Sequence, residues 1–152
     1  MLKKSLFIGI GLSWVLQFAN AESITGYASV MVLETLEISE SNQVDFGAIP
    51  GDNGTCEMSN LGELNGLNGS NCGGNGQVGS FVINGTVGQS INISVTTGDG
   101  PAGLSFQPQL LSGSTATLAG GSATALIGGQ LALNDAPRGN QSLTYFITVN
   151  YN

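Results

Sequence analysis

Apolar side chains in this chain recur at every second position rather than every third or fourth. The final ten residues, "LTYFITVNYN", place Leu143, Tyr145, Ile147, Val149 and Tyr151 on one face of an extended strand, and "QSINISV" does the same with Ile91, Ile93 and Val95. A period of two is the pattern of a half-buried β-strand, whereas a helix repeats near 3.6. The 24 glycines and the scarcity of Leu/Glu/Lys/Ala clusters argue against helices from a second direction. The chain therefore reads as all-β.

The N-terminus follows other rules. "MLKK" is a short basic segment, "SLFIGIGLSWVLQF" an apolar run, and Ala19-Asn20-Ala21 a small-x-small processing site. That triplet predicts a secretory signal peptide over residues 1–21, cleaved between Ala21 and Glu22. Its fourteen apolar-leaning residues fall short of the roughly 20 that span a bilayer as a helix. The expected mature chain is a single exported domain that does not span the membrane.

Export changes the charge balance. Without Lys3 and Lys4, Arg138 is the sole basic side chain against ten acids, a net charge of −9. Such a surface repels phosphate backbones and anionic lipids, so nucleic acid is not an expected partner. The whole chain has no His, and the mature part no Lys, which removes the commonest general base, a frequent metal ligand and the Schiff-base nucleophile. The acids do not form a pair suited to glycoside hydrolysis: Glu34, Glu37 and Glu40 crowd one stretch and the others fall mostly in turns. The expectation is a protein without catalytic activity, cofactor or metal. The Asp/Asn-containing turns "GDNGT" and "TGDGPAG" lack the oxygen array of a calcium loop, and the Asn-x-Ser/Thr triplets at Asn53, Asn68, Asn84, Asn92 and Asn140 follow from a composition rich in small polar residues.

Cys56 and Cys72 both fall in the exported part, where oxidation is favoured, and no CxxC spacing competes; one disulfide is expected. Along the chain, Ile24 to Ile38 alternates in an even phase (Ile24, Ala28, Val30, Val32, Leu36, Ile38), interrupted by Gly26 and Glu34. "QVDFGAI" reads as a short second strand through Val44, Phe46 and Ala48. Residues 51–79 shift to Gly and Asn and read as a loop or a set of short hairpins stapled by the disulfide. Further strands follow around Phe81 and Ile83, Ile91 to Val95, Leu104 to Leu110, "TATLAG" and "ATALIGGQLAL", ending in the terminal strand. Turn signals roughly every 8–12 residues predict a β-sandwich of seven to nine strands.

The terminal strand then raises a physical problem. An apolar strand in a sheet needs neighbours on both edges, or its free backbone groups become a template for another chain; the expectation here is an edge that no later strand of the same domain covers. Together with "VDFGAIPG", "GSFVINGTVGQSINISV" and the single disulfide, the ending "LTYFITVNYN" resembles the pilins of Gram-negative chaperone-usher fimbriae. More narrowly it resembles an uncharacterised bacterial domain family allied to the Mat (common pilus) type of subunit. The resemblance implies an immunoglobulin-like sandwich that lacks one strand. Its groove would be filled first by a periplasmic chaperone and then, after passage through an outer-membrane usher, by the N-terminal strand of a like subunit. The donor would lie in residues 22–33, offering Ile24, Gly26, Ala28, Val30 and Val32, ahead of a pilin-like domain over residues 34–152. Tyr145, Ile147, Val149 and Tyr151 would line the acceptor edge and engage the chaperone. The implied location is the periplasm and then the cell surface, in a fimbria serving adhesion or biofilm formation. The competing expectation is a self-complemented monomeric binding module, in which residues 24–33 fill the edge of their own domain.

Overall fold

The computed structural model describes residues 27–152, so the Ala21/Glu22 processing site and the donor positions Ile24 and Gly26 lie outside the described residues. Nine strands and no helix occur among the described residues. They are β1 (Glu37–Asn42), β2 (Gly54–Met58), β3 (Leu64–Leu67), β4 (Gly79–Asn84), β5 (Ser90–Thr97), β6 (Leu104–Leu110), β7 (Thr115–Thr117), β8 (Ser122–Leu133) and β9 (Tyr145–Tyr151).

All pairings are antiparallel and fall into two sheets. The larger is organised on β8, whose twelve residues serve three neighbours. Ser122–Ile127 pair with β4 and Gly129–Leu133 with β2 along one edge, while β6 runs beside Ile127–Leu133 on the other. Gly129 sits where the partner changes from β4 to β2. Its φ of +135° suits only glycine, and an added Cβ would collide with the Gln107 carbonyl oxygen. β1 extends this sheet beyond β4, and β3 extends it beyond β2. The smaller sheet has the order β7-β5-β9.

The core forms where the inward faces of the two sheets meet. Phe81 and Ile83 of β4, Ile91 and Ile93 of β5, Leu118, and Ala125 and Ile127 of β8 make one buried cluster. Phe81, Ile83, Ile91 and Ile93 are alternating positions of the sequence, and full burial of each large aliphatic side chain contributes about 1.5–3 kcal/mol. Cys56, Phe106 and Leu131 are buried at the other end of β8, where Cys56 and Phe106 flank Leu131 on neighbouring strands.

The Gly/Asn-rich stretch resolves into the β2–β3 hairpin, and Cys56 is bonded to Cys72 with their Cα atoms 5.6 Å apart. Two expectations need correction. "QVDFGAI" is not a strand: Asp45 makes only an isolated bridge with Gln77. The Asp45 carboxylate accepts the Gly47 N–H at 2.7 Å and Gly47 has a φ of +63°, so an Asx turn ends the extended run before it can pair. The alternation before Ile38 also fails to make a strand across residues 27–36, and regular pairing begins at Glu37.

Candidate functional site: an open strand edge

β9 pairs with β5 from Tyr145↔Thr97 to Tyr151↔Ile91, and it has no other strand partner among the described residues. Which backbone groups this leaves free follows from the bonds at its ends. Thr144 bonds Asp99 and Gly98 through its N–H and C=O, and the Asn152 N–H bonds Ser90. In an antiparallel ladder both groups of a residue point the same way and successive residues alternate. Even-numbered residues of β9 therefore face β5, and the N–H and C=O groups of Tyr145, Ile147, Val149 and Tyr151 face the open edge.

The same four residues turn their side chains inward. All four pack on the buried cluster, yet all remain only half-buried, alternating with the exposed Phe146, Thr148 and Asn150. β1 shows the matching deficit on the other sheet. Ile38 lies directly opposite the fully buried Ile83 but is itself 40% exposed, and Leu36 and Val44 are half-buried against the core. The rims of β1 and β9 thus bound one slot, in which apolar side chains from both sheets lack a covering neighbour.

The two ends of the slot differ. At one end the Tyr151 hydroxyl accepts the Thr86 N–H and donates to the Glu34 carbonyl, both at 2.8 Å, fastening the lead-in to β1 against the end of β9. Gly85 makes this crossing possible, since a Cβ there would strike that hydroxyl. At the other end the slot widens into a cleft of about 1310 Å³ lined by Glu40, Val44, Phe46, Phe106, Tyr145 and Ile147, among others. That exceeds the roughly 300–1,000 Å³ of a small-molecule pocket and suits an extended chain better. Its floor is a chain of edge-to-face aromatic contacts: Phe46 on Phe106 at 5.5 Å, Phe106 on Tyr145 at 5.6 Å, and Phe81 on Tyr145 at 6.2 Å.

Tyr145 is the polar oddity of the slot. Its hydroxyl is buried without a hydrogen-bond partner. Burial, and secondarily the negative charge of Glu40, push its pKa up from about 10 to about 12. Glu40 pairs across the sheet with Phe81, which places it on the inner face beside this hydroxyl. A phenol whose folded pKa is raised holds its proton longer when folded. Its stabilising contribution is complete below pH 10 and lost as pH rises towards about 12. Tyr145→Phe is expected to leave stability at pH 7 within about 1 kcal/mol, because no partner is orphaned, and to flatten the alkaline decline in urea melts between pH 10 and about 12.

Of the donor positions, Ala28, Val30 and Val32 are described. None is in a strand, and Val30 and Val32 are 88% and 84% exposed. The acceptor residues Tyr145, Ile147, Val149 and Tyr151 do share one strand and one face. Sequence reasoning did not anticipate Glu40 on the inner wall, the Phe46–Phe106 floor or the Tyr151–Glu34 closure; "QVDFGAI" flagged Phe46, but as a strand residue. In the turn "GDNGT" the Asn53 side-chain oxygen accepts the Asp135 N–H at 2.6 Å. No protein-family model, curated protein or solved structure matches this chain.

Proposed function

We propose that this protein is a structural subunit of a bacterial surface fimbria, exported to the periplasm and polymerised by β-strand complementation, supporting adhesion or biofilm formation. The observation that carries the reading is the edge of β9, where free backbone groups and half-buried inward side chains occur at the same residues. Strand addition satisfies both at once, with backbone hydrogen bonds supplying affinity and alternate side chains setting register. Before assembly a periplasmic chaperone holds that edge, and an outer-membrane usher passes the subunit on to the next copy.

The occupant in the fibre is the N-terminal segment of a second copy. Ile24, Val30 and Val32 are its large inward residues, with Ala28 and Gly26 at the small positions. Burying the three large ones contributes roughly 5–9 kcal/mol before ordering costs, an upper bound. The charge pattern agrees: β9 carries no charged residue to deter pairing. The mature chain is expected to form polymers that resist detergent at room temperature and dissociate on heating, read as a ladder by gel electrophoresis. Recovery of a cooperatively folded monomer that never polymerises contradicts the proposal and favours self-complementation.

A further inference from the structure

The outer face of the β7-β5-β9 sheet has a composition that neither the core nor the open edge explains. β9 turns Phe146, Thr148 and Asn150 outward, β5 turns out Ser90, Asn92, Ser94 and Thr96, and β7 turns out Thr115 and Thr117; all are exposed. The registers align them in rows: Thr96 with Phe146, Ser94 with Thr148, Thr115 with Asn92 and Asn150, and Thr117 with Ser90. Strand geometry spaces such a grid about 4.8 Å across strands and about 6.8 Å along them. None of the ten acids of the chain lies on these three strands, although one exported cation leaves the surface strongly negative elsewhere. Phe146, 61% exposed, stands on this grid, where no packing requirement calls for an aromatic ring.

We propose that this face is a binding platform for an uncharged polysaccharide. Hydroxyl and amide side chains supply donors and acceptors together, as recognition of sugar hydroxyls requires. The electron-rich face of an exposed aromatic ring suits the C–H face of a pyranose. A grid free of charge on a net-acidic protein complements a neutral ligand and offers nothing to an ionic one.

One part of the platform rests on the strand-donation reading. A donor that buries Ala28, Val30 and Val32 turns Tyr27, Ser29 and Met31 to the other face. Laid beside β9, those residues widen the platform with the same hydroxyl chemistry and a second aromatic ring, so each assembled subunit presents a broader surface than the free one.

The test uses the full mature chain, polymerised and unpolymerised, with amorphous cellulose and colloidal chitin as neutral probes and alginate as the anionic control. Wild type is expected to be retained on at least one neutral polymer and not on alginate. Phe146→Ala should weaken retention about tenfold, and Thr148→Glu, which sets a charge in the middle of the grid, should abolish it. Because both side chains point away from the slot, the polymer ladder should be unchanged in either variant. Absence of retention on both neutral probes, or retention unaffected by both substitutions, overturns the proposal. Lateral bundling of fibres that Thr148→Glu disrupts, without polysaccharide retention, also overturns it and assigns the face to a second copy. If the wild-type chain stays monomeric yet is retained through Phe146, the three-stranded platform stands while strand donation and the Tyr27 extension fail.

Discussion

Val149→Pro is expected to weaken polymerisation sharply while leaving the domain folded, and Thr148→Pro, one residue earlier, to destabilise the domain itself. The contrast follows from the alternation along β9. The Val149 N–H points to the open edge, so a proline there removes no bond to β5, and proline is tolerated in edge strands where its missing N–H faces outward. What it removes is a bond to the incoming strand, leaving that strand's carbonyl without a partner. Loss of about 2–3 kcal/mol from strand addition is expected, roughly 30- to 150-fold in affinity. Thr148 pairs with Ser94 of β5. Proline there breaks the intramolecular ladder at an expected cost of about 2–4 kcal/mol in folding stability. Urea denaturation separates the two variants, and the polymer ladder of Val149→Pro reads the intermolecular effect. If Val149→Pro polymerises as wild type does, the edge of β9 is not the docking edge.

Deleting residues 22–33 is expected to be the other large effect. The remaining domain retains every strand of the two sheets, since regular pairing begins at Glu37. It retains the slot but has no strand to give, so fibre growth should stop. A synthetic peptide of residues 22–33 should then bind the truncated domain and raise its Tm in proportion to the logarithm of peptide concentration. At a hundredfold excess over Kd the stabilisation is about 2.7 kcal/mol, a shift of roughly 10 °C for a domain of this size. A peptide with Val30 and Val32 both changed to Asp should give no shift, because buried carboxylates without partners cancel the gain. Under self-complementation the truncated domain instead unfolds, and this outcome is visible before any peptide is added.

How much of this was legible in advance depended on whether a segment is paired within its own domain. β4, β5 and β9 announced themselves through alternation, because each packs one face against the core within this chain, whereas in β8 the legible Leu126 is half-buried and its neighbours Ala125 and Ile127 are the buried ones; the Cys56–Cys72 bond followed from two cysteines in a segment expected to be exported. The stretch before Ile38 alternates just as clearly yet makes no strand across residues 27–36. Periodicity reports that a segment suits a sheet, not whose sheet it joins. "QVDFGAI" misled for a local reason, since one Asx turn at Asp45 and the positive φ of Gly47 override the β propensity of Val44 and Phe46. At the site, the four inward residues of β9 were readable from their spacing. The inner position of Glu40 and the Tyr151–Glu34 closure were not, because both depend on the register of β1 against β4 and on how the two sheets face each other.

The central claim, that the outer edge of β9 is vacant in the free subunit and paired in the fibre, is tested most directly by residue-resolved amide hydrogen exchange. In the unassembled chain the amides of Ile147 and Val149 should exchange fast, while those of Phe146, Thr148 and Asn150, bonded to β5, are protected. On assembly the odd-numbered amides should gain protection of at least about a hundredfold, and the even-numbered ones should change little. Odd-numbered amides already protected in the monomer, or unaltered in the polymer, would contradict it.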